Sequence, residues 1–302
     1  MSKQFKANCM LVLTAMIWGA AFVAQSVGMD YVGPFTFLMA RSFLGGLILL
    51  PVIAWMNRGK PAAAKTTGSR RDYLLAGLLC GTALFAGSAF QQLGLLYTSA
   101  GKSGFITALY VVLVPVCSLF LGKRVGLNMW ISVVIAAVSL YLLCINESFT
   151  IGPGELLTLI CALCFTGHIL VIDHFSGRVD GVKLSCIQFF VCSAWAAVFM
   201  AFRETPSMTS ILRCWLPIGY AGLLSCGVGY TLQILGQKNT KPTVASLLMS
   251  LESVFAVLFG ALLLHERLSA KEYLGCALMF GAVVLAQLPQ KHAAATDSRK
   301  AA

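Results

Sequence analysis

Ten apolar stretches follow one another from residue 7 to residue 289, separated by short polar breaks. They cover approximately residues 7–26, 34–56, 73–96, 100–121, 126–145, 153–173, 181–202, 212–235, 242–264 and 270–289. A helix that crosses a bilayer needs roughly 20 apolar residues. Lipid offers no partner to a free N–H or C=O, so runs of this length close their hydrogen bonds within each segment, as helices. The interior of a soluble domain is no alternative. Hydrophobic residues make up 58% of the chain and charged ones 11%, against roughly 25% charged in ordinary soluble domains. The expected fold class is an all-α integral membrane protein of ten transmembrane helices.

The charges then orient the helices. The formal net charge is +11, which in a soluble chain would raise the question of nucleic acid. Here Lys and Arg sit in the short connections and at the ends, as membrane topology demands, and no nucleic-acid role is read. With the N-terminus inside, the inner segments carry sixteen Lys and Arg, among them Lys3, Lys123, Arg178, Lys238 and Lys241. The outer segments carry five: Lys102, Arg203, Arg213, Arg267 and Lys271. The positive-inside rule therefore places both termini in the cytoplasm and the protein in the cell membrane. Trp55, Trp130 and Trp215 fall near helix ends, where indoles favour the interface. Residues 1–6 are short and basic like the start of a signal peptide, but the run behind them has a counterpart later in the chain, so it is read as a retained first helix. Most of the eleven cysteines lie inside apolar runs and are read as packing residues without structural disulfides.

That counterpart belongs to an internal repeat. Shifted by 142 residues, Gln91-Gln92-Leu93-Gly94 lies over Gln233-Ile234-Leu235-Gly236, Thr98 over Thr240, and Leu109 over Leu251. Helices 3–5 overlay helices 8–10. Helices 1 and 2 overlay 6 and 7 at a shift of 147, with Arg41 over Gln188, Phe43 over Phe190 and Trp18 over Phe165. The longer basic segment 57–72 absorbs the difference. Chance apolar similarity explains scattered Leu and Gly matches but not one register on both sides of a single insertion. Five helices per repeat is an odd number, so the halves run in opposite senses: residues 1–145 and 146–289 form two inverted repeats around a central cavity, followed by a disordered tail, 290–302. Inverted halves that pack in two mirrored ways give outward-open and inward-open states of similar energy, with a solute site between them. The partners expected are a small-molecule solute and the lipid bilayer, with protons as a possible third.

The order of ten helices in two halves resembles the drug/metabolite transporter superfamily, EamA type, over about residues 7–289. The resemblance rests on Trp18-Gly19, Arg41 with Ser42-Phe43-Leu44, Gly104 to Tyr110 with Pro115, Ser250-Leu251-Glu252, and His265-Glu266-Arg267-Leu268. It implies a bundle with a central cavity and export of metabolites, often amino acids or related compounds, or of drugs. Two features depart from the pattern. Ser253 stands where the family often has proline, and Gly122-Lys123-Arg124 lacks the acidic residue found at the matching place in the second half.

Several residues are candidates for the solute site. Glu252 lies near the midplane of helix 9, where a charged side chain costs roughly 2.5–3.5 kcal/mol on insertion scales. Two readings stay open: a group facing the cavity that titrates a proton or recognises a cation, and a neutral acid bonded to a neighbouring helix. Its repeat mate is Tyr110, which would supply an aromatic wall and a hydroxyl. Arg41 is positioned either to attract a solute carboxylate or phosphate, or to fix the bundle through Asp30, Glu155 or backbone carbonyls, with the structural role favoured. Trp18, Phe90, Gln91 and Tyr230 are candidate lining, and Gln233 is the mate of Gln91. Cys161, Cys164 and His168 share one helix face, but three ligands from one straight helix rarely converge on an ion, so no metal is expected. His168 remains a candidate polar cavity residue. Gly77 and Gly81 of helix 3, and Gly219, Gly222, Gly227 and Gly229 of helix 8, predict close approach of those two helices near the pseudo-axis.

No catalytic motif and no Walker A stretch occurs, so an enzyme, a cofactor and direct use of ATP are not expected. The reading is a secondary transporter that exports amino acids or related compounds by alternating access. A multidrug efflux carrier is the alternative cargo class, and a passive channel or membrane sensor the alternative mechanism.

Overall fold

The computed structural model describes residues 2–58, 68–98, 100–123, 125–144, 152–263 and 269–287. The motif at 265–268, Lys60, Lys65, Arg124 and the tail 290–302 lie outside the described residues. Every regular element among the described residues is helical. In chain order the spanning helices are α1 (Lys3–Gly28), α2 (Pro34–Met56), α3 (Arg70–Gly94), a broken α4 (Ala100–Thr107 and Tyr110–Phe120) and α5 (Leu127–Cys144). The second set is α6 (Pro153–Phe175), α7 (Gly181–Arg203), a composite α8, a broken α9 (Pro242–Met249 and Leu251–Leu263) and α10 (Ala270–Gln287). Helix α8 joins Trp215–Gly219, a π-helical stretch Tyr220–Tyr230 and Thr231–Gln237. Eight of these spans are long and apolar enough to cross a bilayer, and two shorter apolar helices complete a ten-helix membrane fold.

Local chemistry sets the helix starts. Ser2 and Ser69 accept from backbone N–H groups of the first turn, and Asp72 returns a bond to the Ser69 N–H. Asp180 accepts from Val182 and Lys183 N–H. Proline opens α2, α6 and the first half of α9, where its missing N–H would have had no partner. The N-terminus of α2 is capped from a distance: the Glu204 carboxylate at the end of α7 accepts from Phe35 N–H, Thr36 N–H and Thr36 Oγ1.

The outer surface is that of a protein solvated by lipid. Phe120 is 87% exposed and Phe202 83%, along with Leu74, Leu78 and Leu262. An apolar surface on this scale is incompatible with water. Trp55 and Trp215 point outward near helix ends, whereas Trp130 packs, half-buried, against the core.

Packing links the two sets of helices pairwise. α2 lies along α7, and α5 along α10. α3 packs on α6, and α1 on α8 and α9. The glycine arrays serve contacts other than the one expected. Gly77 and Gly81 face Ile187 and Val191 of α7, while Gly222 and Gly227 face Leu44 and Ile48 of α2, so the close approaches are α3–α7 and α2–α8 rather than α3–α8.

Candidate functional site

The two broken helices create the centre of the molecule. α4 is interrupted between Thr107 and Tyr110, and α9 at Ser250. At the shift of 142 these breaks coincide. Neither falls on a proline. In α9 the Ser253 hydroxyl donates to Ser250 O at 2.7 Å and the Ser250 hydroxyl to Leu247 O at 2.8 Å, so serines take up the carbonyls freed at the interruption. Each interruption is a tightened turn near the middle of the span: Leu109 and Ser250 keep right-handed helical angles, and Val111 N–H bonds Ala108 O as Ser253 N–H bonds Ser250 O, three residues back rather than four. Tyr110 opens the second half of α4 and Glu252 sits in the first turn of the second half of α9.

These two residues meet. The Tyr110 hydroxyl donates to Glu252 Oε1 at 2.8 Å, with the two residues 2% and 3% exposed. Around them is a small cavity of about 30 Å³, roughly the volume one water occupies in the liquid. Its walls include Trp18, Phe22, Phe165 and Ile169, the amides Gln25, Gln91 and Gln233, and Arg41, Thr107 and Tyr230. Four pairs of wall residues are repeat mates: Trp18 with Phe165, Phe22 with Ile169, Gln91 with Gln233, and Tyr110 with Glu252. The backing repeats as well. Trp18 lies against Gly229 and Phe165 against Gly87, two glycines that are themselves 142 apart, and a Cβ at either would press on the ring.

Polar groups on this wall are only partly satisfied. Arg41 Nη1 donates to Gln25 Oε1 at 2.7 Å, and its guanidinium lies 5.8 Å from the Phe37 ring centroid. Of the acids that the sequence offers as its partners, Glu155 is engaged elsewhere: it accepts from Gly152 N–H and from Thr98 Oγ1 at the start of α6. Gln91 Nε2 donates to Thr107 Oγ1 at 3.1 Å. Arg41 Nε, Trp18 Nε1 and Gln233 Oε1 are buried and make no hydrogen bond among the described residues. Among the described residues the wall side chains thus carry two donor atoms and one acceptor without a hydrogen bond, together with a carboxyl group and several amides and hydroxyls, set among aromatic and aliphatic side chains.

Of the residues singled out in the sequence, Trp18, Arg41, Gln91, Tyr110, Tyr230 and Glu252 line this one cavity. Phe90 does not: it packs, part-buried, against the core beside the wall. His168 stands one layer back, its Nε2 3.0 Å from Gln188 Oε1 and its ring edge-on to Tyr230 and Phe165. Cys161 Sγ lies 3.7 Å from Thr107 Oγ1, so the cysteine–histidine face serves packing and ordinary hydrogen bonds. Phe22, Gln25, Thr107, Phe165, Ile169, Ser225 and Gln233 are wall residues that sequence reasoning did not assign to it. For Phe165 and Gln233 a signal was present, since each is the repeat mate of an assigned residue.

Beyond the cavity, toward the end marked by Lys238 and Lys241, lies a much wider space of about 1020 Å³. Its rim also carries Arg178, and Lys123 paired with Asp173. At the opposite end the Thr98 hydroxyl bonds directly to Glu155 at 2.9 Å, and Gly94 packs tightly on Gly154 and Thr158.

The chain matches the EamA-like transporter family over residues 5–145 and 152–288. It is 33% identical over 290 residues to an uncharacterized transporter of Archaeoglobus fulgidus, covering 95% of this chain and 87% of that protein. It is 24% identical over 276 residues to the uncharacterized transporter YoaV of Bacillus subtilis, covering 89% and 92%. A WAT1-related chloroplastic protein of Arabidopsis thaliana is 23% identical over 293 residues, covering 93% and 69%. One solved protein structure superposes with a TM-score of 0.74 at 19% identity, covering 93% of this chain and 96% of that one, a likeness of fold.

Proposed function

This chain belongs to the EamA-like transporter family, and from that premise we propose that it exports zwitterionic metabolites, amino acids or close relatives, by alternating access. It is a multi-pass membrane transporter of small solutes. The observation that carries the finer reading is the bond between Tyr110 and Glu252 at the head of two broken helices, inside a wall built from repeat mates. In this reading residues 1–145 and 146–289 are the two inverted halves, and the wall between them parts to admit solute. A space of about 30 Å³ is too small for an amino acid, so in this reading the wall must part before solute is seated.

The roles follow from chemistry. Arg41 offers its unbonded Nε to a carboxylate, a charge-assisted bond stronger than a neutral one. Glu252 takes the ammonium group, exchanging it for a proton, so that charge in the low-dielectric interior is paired at each stage. Trp18, Phe22, Phe165 and Ile169 receive the solute's apolar part. Glu252 thereby couples export to a proton gradient. The charge bias of the connections supports a cytoplasmic-membrane location with both termini inside.

The test is flux in proteoliposomes over a panel of amino acids and amphipathic amines, with and without a pH gradient. The reading expects a solute bearing both ammonium and carboxylate to be carried faster when the gradient is imposed, and Glu252→Gln to abolish that acceleration. Acceleration that survives Glu252→Gln would remove the proton role. The aromatic share of the wall favours a second reading, multidrug efflux, in which amines without a carboxylate are carried equally well and Arg41→Gln leaves them unaffected.

A further inference from the structure

Helix α8 carries two buried glutamines one turn apart. Gln233 lines the central cavity, and Gln237 lines the wide basic vestibule. Both are at most 2% exposed, and the Oε1 of each makes no hydrogen bond among the described residues. Gln237 Nε2 donates at 3.1 Å to the carbonyl of Ile169, a residue of the cavity wall, which holds the amide in place while its oxygen stays buried and without a bond among the described residues. A buried acceptor left unpaired is costly, and here two of them stand one turn apart on a helix that runs from the cavity to the vestibule. Ser118, fully buried with an unbonded hydroxyl, faces the same vestibule.

The other half does not repeat this. The mate of Gln233 is Gln91, but the mate of Gln237 is Leu95, and the mate of Ser118 is Gly260. The second amide of the stripe therefore exists at one end only. Basic side chains ring that end, yet the groups that point inward along α8 are acceptors.

We infer that Gln237 is an inner relay site, the step between cavity and vestibule, and that it holds a hydrogen-bond donor of the passing solute: an ammonium, amide or hydroxyl group. The inference rests on the central cavity being where solute binds. A solute seated with its anionic end on Arg41 presents its donor end to Glu252, then Gln233, then Gln237 as it moves toward the vestibule. Passage through this end is selective for donor-bearing groups.

The test needs no known substrate and no transport. A cysteine is introduced at the cavity wall by Ala21→Cys in the full-length protein in nanodiscs. Its modification is timed by peptide mass spectrometry with two thiol reagents, aminoethyl methanethiosulfonate, which bears a donor, and methyl methanethiosulfonate, which bears none. Gln237→Leu is expected to slow the aminoethyl reagent at least tenfold and the methyl reagent less than twofold. Gln237→Glu, which keeps the acceptor, is expected to hold the aminoethyl rate at or above the parent value and serves if the leucine variant does not fold. Equal slowing of both reagents, no slowing of either, or loss of the aminoethyl rate in the glutamate variant overturns the inference. Flux failure with these results intact would instead count against the proposed transport cycle.

Discussion

Removal of the Tyr110 hydroxyl isolates the central bond. In Tyr110→Phe the ring remains to fill its space, and the Glu252 carboxyl loses the donor it holds at 2.8 Å. Both residues are almost wholly buried, so water does not replace the bond freely. A buried polar group stripped of its partner costs about 1–3 kcal/mol, and a bond between neutral groups falls in the lower part of that range. The same substitution in a Glu252→Leu background removes a hydroxyl that no longer has a carboxyl to satisfy, and is expected to cost less than about 0.5 kcal/mol. The coupling between the two positions is then about 1–2 kcal/mol. It is read as the difference in unfolding free energy across the four proteins of a double-mutant cycle, in mixed micelles with denaturant. Additivity within about 0.5 kcal/mol would show that the pair does not join the two half-helices energetically, and the argument that they meet as a functional unit would fail with it.

Three further outcomes follow from the same geometry. Gly19→Ala places a methyl group against Phe255 and the backbone of Ala256 in α9, and such overpacking costs about 1–3 kcal/mol, read as a lower melting temperature; an unchanged melt would mean α1 and α9 are not in close contact. Arg41→Gln is expected to raise KM for a solute carboxylate by tenfold or more, since loss of a buried charge partner costs about 2–5 kcal/mol, while leaving KM for carboxylate-free amines within threefold. Glu204→Gln weakens the distant cap on α2 by replacing a carboxylate that accepts three hydrogen bonds, for an expected loss of about 1 kcal/mol; hydrogen exchange should rise at Phe35 and Thr36 and nowhere in α6.

Much of the fold is legible in the sequence because lipid leaves few choices: a run such as Pro34–Met56 has no stable state in a bilayer other than a helix. The register of the repeat is legible too, and it sets Tyr110 and Glu252 as mates at one candidate site, though not that they bond one another. The interruptions are not legible. Helix α4 breaks at Ala108-Leu109, residues with no turn signal of their own, and α9 at Ser250, where a single serine is equally at home inside an unbroken helix and so marks no interruption. The π-helical stretch Tyr220–Tyr230 is likewise hidden, since Gly222, Gly227 and Gly229 are equally compatible with an α-helix. Composition makes Phe90 as good a wall candidate as Gln91, yet consecutive helical residues differ by about 100° in direction, so both do not face one narrow cavity. For Arg41 the sequence offers Asp30, Glu155 or backbone carbonyls as partners, and an amide of α1, Gln25, fills that place. Charge complementarity is visible in sequence, whereas an amide's role depends on which way its helix turns.

Alternating access requires that the two halves expose the solute site to each side by turns. Counterflow in proteoliposomes decides it. A labelled amino acid from the panel is added outside vesicles already loaded with the same unlabelled compound. Alternating access predicts labelled uptake several-fold above that into empty vesicles, with a transient overshoot, because the loaded protein returns faster than the empty one. Uptake that is never stimulated from the far side, for any member of the panel, would mean a passive pore or no passage at all, and would contradict the central claim.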